Sequence, residues 1–123
     1  MAKGVYRRAS SDQPLRLMSE VEAAWVGAAI ETDGWVTISN EKYWAIGVGS
    51  TDLEIISALL RATGVGTVCK PLLSSTAYPN GKPFWRWTVW GIGLLPRLAE
   101  RLSPYSQKVR KILDGRYVYP SAL

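Results

Sequence analysis

Ten residues, Trp25-Val-Gly-Ala-Ala-Ile-Glu-Thr-Asp-Gly34, constrain this chain more than any other segment. They are small or apolar as far as Ile30, then end in two carboxylates and a glycine. A helix that is apolar all round must be covered on more than one side. Acids placed at the end of such a helix sit where solvent is scarce, which is where a cation or a proton-transfer step becomes useful. Gly27, Ala28 and Ala29 leave little bulk, so a second copy of the helix can pack backbone against backbone. The chain contains the segment once.

Its 123 residues suffice for one domain with a real core, and 47% hydrophobic against 20% charged residues is the balance of a folded globular protein. Apolar runs stay well short of the ~18 residues needed to span a bilayer, and Met1–Arg8 lacks a signal-peptide core. The expectation is an intracellular protein that is neither secreted nor membrane-bound. A lone cysteine, Cys69, and the absence of histidine exclude a disulfide framework, a Cys/His zinc site and histidine-based triads. Any catalysis must run on carboxylates, lysines, hydroxyls or a bound metal. Residues 61–123 carry ten basic residues against two acidic ones, whereas residues 1–60 carry five against eight. A basic half suits a polyanionic partner such as nucleic acid, although it also serves as a solubilising surface.

Along the chain, residues 1–18 are polar and aperiodic and are expected to form a loosely ordered basic arm. Ser19 and Glu22 have capping-box spacing, opening a helix that reaches about Thr32, with Gly34 as a left-handed stop. Trp35–Ser39 and Tyr43–Gly49 alternate as half-buried strands joined at Asn40-Glu41. Thr51 and Glu54 repeat the capping box before an apolar stripe that Gly64 closes. Val65–Leu72 and Phe84–Trp90 are predicted as a second strand pair, with Trp85, Trp87 and Val89 inward and Arg86 and Thr88 outward. A helix over Leu94–Leu102 tolerates Pro96 in its first turn. Ser103-Pro104 breaks it, and a short basic helix runs from Tyr105 to about Leu113. The main domain is expected over 19–115, with a tail over 116–123.

Val26-Gly-Ala-Ala-Ile-Glu-Thr-Asp-Gly34 resembles the nine-residue motif of the LAGLIDADG homing endonucleases. Ser50-Thr-Asp, the segment Ala62-Thr-Gly-Val-Gly-Thr-Val68, Trp87-Thr-Val-Trp90 and Leu102-Ser-Pro-Tyr-Ser-Gln-Lys108 follow in that family's order. The resemblance covers residues 20–114. It implies an α+β fold of αββαββα(α) order with a saddle-shaped four-stranded antiparallel sheet. It also implies a single-motif homodimer that cuts double-stranded DNA to short 3′ overhangs with Mg²⁺, two or more divalent ions per dimer. Within the family, motif helices pair at a dyad, which places Gly27, Ala28 and Glu31 at the dimer interface. Each helix delivers its last acid, here Asp33, to a hard-oxygen metal site. Glu31, two residues earlier, points to another side of the helix and reads as structural.

Lys108 corresponds to the family's catalytic lysine, but it follows Pro104 by four residues where five is usual, so Arg110 and Lys111 stay open as substitutes. Ser50 stands where relatives carry a longer polar side chain that organises water; its other role is a helix cap. The resemblance makes the outward sheet face a DNA surface, with Thr37, Ser39, Glu41, Cys69, Arg86 and Thr88 on it. Lys70 and Lys82 lie near the strand ends, and Arg110 and Lys111 lie on the last basic helix. A sheet of this kind can lie in the major groove, where base edges are distinguishable. Arg86 suits a guanine, and the lysines suit phosphates. Gly47-Val-Gly49 offers little side-chain readout. Trp85 and Trp87 fall inward, while the pattern leaves Trp35, Trp44 and Trp90 unplaced; a stacking platform for single strands is not expected. Two rivals accompany this reading: a non-cleaving nucleic-acid-binding protein (a maturase or a regulator), and a structural domain that dimerises for stability alone.

Overall fold

In the computed structural model, the described residues are 14–39, 43–69 and 83–114. Helix α1 (Glu20–Asp33) leads into strands β1 (Gly34–Ser39) and β2 (Tyr43–Ser50). Helix α2 (Leu53–Thr63), β3 (Thr67–Cys69), β4 (Trp85–Trp90) and helix α3 (Leu94–Leu102) follow. A 3-10 turn (Ser103–Tyr105) then connects to helix α4 (Gln107–Asp114). The four strands form one antiparallel sheet in the order β1-β2-β4-β3. The αββαββαα order expected from the sequence is the one observed. No helix among the described residues is long and apolar enough to cross a membrane.

The helices cover one face of the sheet. Register aligns Val36, Ile46 and Val89 in one inward row, and Val48, Trp87 and Val68 in the next. Against them pack Val26 and Ile30 of α1, Ile56 and Leu59 of α2, and Leu94, Leu95 and Leu98 of α3. Trp87 is fully buried, and its indole Nε1 donates to the Val65 carbonyl at 2.9 Å. Its one polar atom is thereby satisfied, so the ring fills the core without a desolvation penalty.

The element ends show where sequence expectations hold and where they shift. Ser19 and Glu22 make the reciprocal capping box as expected. At α2 the cap is Asp52, not Thr51: its carboxylate accepts from the Glu54 amide at 2.9 Å. Gly64 closes α2 in the left-handed conformation, φ 73°. Gly34 does not do the same for α1; its backbone is extended (φ −109°, ψ −178°), and α1 passes straight into β1. Glycine is needed there for closeness instead. A methyl group at Gly34 would come 2.6 Å from the Gly47 carbonyl oxygen and 2.8 Å from Ile30 Cα.

The folded part also begins earlier than residue 19. The Arg16 amide donates to the Thr63 carbonyl at 2.8 Å, Met18 is buried, and Arg101 donates to the Met18 carbonyl at 3.0 Å. The rest of the expected arm, and the expected tail, lie outside the described residues.

Candidate nucleic-acid interface and active site

Asp33 is the last residue of α1 and its carboxylate is exposed. The last turn of α1 holds no basic residue. A carboxylate at a helix C-terminus faces the negative end of the macrodipole, a placement that works against stability. The corner between α1 and β1 therefore carries concentrated negative character: an acid, and a carbonyl oxygen at Gly34.

Lys108 meets that corner. Its Nζ donates to the Gly34 carbonyl at 3.0 Å, so the ammonium sits one residue from Asp33 along the chain, and the side chain is half-buried. The 3-10 turn and Ser106 span the shortened spacing from Pro104, putting Lys108 in the first turn of α4. Lys108 is thus hydrogen-bonded to the carbonyl of the residue that follows Asp33. Arg110 instead donates to the Ser103 carbonyl at 2.9 Å, stapling the preceding turn. Lys111 is half-buried on the same helix.

Glu31 explains why α4 lies where it does. Its Oε1 accepts from the Ser106 hydroxyl at 2.9 Å and from the Lys108 amide at 3.1 Å. Ser106 in turn accepts from the Val109 amide at 3.2 Å, acting as the N-cap. The Lys108 amide above all, helped by the Ser106 hydroxyl, holds the Glu31 carboxyl below its ordinary range despite the opposing cost of burial. An acid near a helix N-terminus is favourable. Glu31 is thus the structural group that its position suggested, and it faces the chain's own α4. Gly27 is likewise buried inside the chain: a methyl there would lie 2.5 Å from Tyr105 Cβ. Its small size admits the Tyr105 turn, so the glycine is required within the chain itself. Tyr105 also ties back to α1 through a hydrogen bond from its hydroxyl to Glu20.

What α1 leaves uncovered is a different stripe. Val21 (79% exposed), Trp25 (40%), Ala28 and Thr32 lie at helical spacing, and Leu17 (90%) precedes them. The Thr32 hydroxyl donates to the Ala28 carbonyl at 2.9 Å. The hydroxyl's hydrogen bond is made inside the helix, so this face is poor in polar groups seeking partners.

Ser50 ends β2. Since Val48 pairs with Gly34, Ser50 reaches the same end of the sheet as Asp33. Its hydroxyl accepts from the Asp52 amide at 2.9 Å, just ahead of the helix, so Ser50 orders the turn before α2 while Asp52, not Ser50, is the cap.

The sheet face away from the helices carries Thr37, Arg86 and Cys69, all exposed, and half-buried Thr88. Ser39 pairs with Tyr43 at the far end of β1. Glu41, Lys70 and Lys82 lie outside the described residues. Sequence reasoning missed two occupants of this face. The Trp35 indole sits over Gly47, and the Phe84 ring sits over Gly49. The alternation that sends Arg86 and Thr88 outward also sends Phe84 and Trp90 outward, and Val36 inward implies Trp35 outward. That signal was present in the sequence, and it puts Trp35 and Trp90, which the pattern had left unplaced, on this face.

Among the described residues no group of three or more potential metal ligands gathers. Each chain offers one exposed carboxylate at this corner, so a divalent ion would draw its other oxygen donors from a second copy, from DNA or from water.

No family model matches the chain, and no curated protein matches it in sequence. Its three-dimensional arrangement does match solved structures. One is the homing endonuclease I-CvuI in complex with its target in the presence of calcium, at TM-score 0.59 and 20% identity. Another is I-CvuI with a different enzyme's target in the presence of magnesium, the DNA not cleaved, at TM-score 0.58 and 21% identity. In both, the match covers 77% of this chain and spans 65% of the I-CvuI chain. With the motif helix packed against the β1-β2-β4-β3 sheet, the chain has the fold of the LAGLIDADG homing endonucleases.

Proposed function

We propose that this protein is a site-specific endonuclease that hydrolyses phosphodiester bonds of double-stranded DNA as a homodimer with Mg²⁺. The observation that carries the reading is the corner itself. An exposed acid, Asp33, stands at an electrostatically unfavourable helix end, next to a carbonyl held by Lys108. An exposed acid and a lysine brought to one corner suit a metal-assisted step on a phosphate. I-CvuI, whose fold is shared, is described as bound to its DNA target.

The exposed stripe Val21-Trp25-Ala28 supports the second copy. Pairing two such stripes about a two-fold axis would bury the apolar face and bring two Asp33 carboxylates together. That supplies the hard-oxygen donors a single chain lacks, which fits Mg²⁺. When bound, the metal would lower the pKa of a water and offset charge on the leaving 3′ oxygen. The chain's own residues have separable tasks. Asp33 would hold the ion. The Lys108 ammonium, anchored at the Gly34 carbonyl, is available to a phosphate oxygen beside it. Glu31 and Ser106 fix the helix that carries Lys108. Thr37, Ser39, Arg86 and Thr88, Arg110 and Lys111 on α4, and Glu41, Lys70 and Lys82, which lie outside the described residues, contact the duplex.

One observation favours the non-cleaving rival. The Ser50 hydroxyl is short and engaged with the Asp52 amide, so it is a weak substitute for a water-organising side chain. Asp33→Asn separates the readings. A nuclease loses Mg²⁺-dependent cutting of a selected duplex and keeps binding it; unchanged behaviour in a wild-type protein that binds but never cuts supports the binding-only role.

A further inference from the structure

Gly47 and Gly49 remove two side chains from β2 on the outer sheet face, and rings from neighbouring segments fill the space. A methyl on Gly47 would come within 2.5 Å of the Trp35 indole, and one on Gly49 within 2.5 Å of the Phe84 ring. Both aromatic residues are half-buried, so each ring rests on glycine backbone and keeps part of its surface open. Register puts them in adjacent rows: Trp35, Gly47 and Thr88 in one, Gly49 and Arg86 in the next. These rows lie at the end of the sheet that Asp33 and Ser50 share. Trp35 is two residues beyond Asp33, and Gly49 immediately precedes Ser50.

This patch has few hydrogen-bonding groups with which to read bases. The major groove, however, exposes one apolar group, the C5-methyl of thymine. Rings fixed over glycine present a flat apolar surface at little further entropic cost, because packing already restricts them. Arg86 and Thr88 flank the rings, so polar contacts border the apolar floor.

Building on the proposed duplex-cutting function, we infer that Trp35 and Phe84 form an apolar floor that recognises thymine methyl groups at the base pairs beside the cut. Sequence preference near the cleavage positions then comes from methyl contact more than from hydrogen bonding. Glycine at 47 and 49 is part of the recognition device, because any side chain there would displace the rings.

The test starts from duplexes selected by the wild-type protein from a randomised library. The innermost positions of each half-site should be enriched in thymine. Deoxyuridine replacement removes the methyl alone and leaves base pairing intact. Each contacted methyl lost should weaken binding by about fourfold, the value of burying one such group. The Trp35→Ala/Phe84→Ala protein should bind thymine and uracil duplexes alike, while Trp35→Phe should keep part of the discrimination. Since the wild-type comparison needs no variant, a misfolded double variant does not blunt the test. Equal wild-type affinity for thymine and uracil duplexes overturns the methyl floor and leaves the duplex-cutting function standing. Tighter binding of the corresponding single strand overturns the floor in favour of base stacking on the same rings. Failure to select any duplex overturns the function and the floor together.

Discussion

At the residue scale, two acids separated by one threonine have different tasks. Asp33 is exposed at a helix end that disfavours it, whereas Glu31 accepts hydrogen bonds that favour it. Asp33→Asn should therefore abolish cutting while raising folding stability by about 0.3–1 kcal/mol, as measured by urea denaturation beside a cleavage assay. Lys108→Met should slow cleavage by about 10²–10³ in single-turnover kinetics, with duplex affinity little changed. Glu31 behaves in the opposite sense. Its folded carboxyl is held below the ordinary value of 4.5, so its contribution is present above that value and is lost as pH falls through the lower folded value. Glu20 and Glu22 are shifted the same way by Tyr105 and by the Ser19 amide, respectively, and they act in both proteins of a comparison. Wild type should accordingly lose stability below pH 4.5 more steeply than Glu31→Gln, with the two curves converging in acid. The division between these acids was legible in the sequence, because a two-residue offset on a helix separates their directions. The Asp52 cap and the extended Gly34 were not. Thr51 and Asp52 both offer side-chain oxygens, and the sequence does not tell a glycine needed for positive φ from one needed for close approach.

At the scale of elements, small residues on α1 act on two different neighbours. Gly27 admits Tyr105 and so lets α4 dock against the motif helix; Ala28 stays outside on the exposed stripe. Gly27→Ala forces a contact at 2.5 Å with Tyr105 Cβ and should cost about 1–3 kcal/mol by overpacking, read as a lower urea midpoint. The same change should impair cleavage, because it displaces the helix that bears Lys108. The order of helices and strands could be read before the structure because inward rows such as Val36, Ile46 and Val89 alternate cleanly with outward residues. Cross-strand packing could not. Trp35 settles over Gly47 because the two are register partners, and pairing register lies beyond a period-two pattern within one strand.

At the scale of the whole molecule, the chain carries one motif helix whose apolar stripe is exposed, and one acid where a metal site needs more donors. In the proposed homodimer a second copy would meet both shortfalls. Val21→Glu with Ala28→Glu should convert a dimer to a folded monomer in sedimentation velocity and remove double-strand cutting together with it. A variant that stays dimeric would place the interface elsewhere. The most direct test of the central claim is cleavage of a selected two-fold-symmetric duplex by wild type, by Asp33→Asn and by mixed dimers, with binding followed in parallel. A homodimer that cuts through paired Asp33 carboxylates gives Mg²⁺-dependent double-strand breaks as wild type, none as the variant, reduced cutting as mixed dimers, and equal binding in all three. Cutting by Asp33→Asn at the wild-type rate would contradict it.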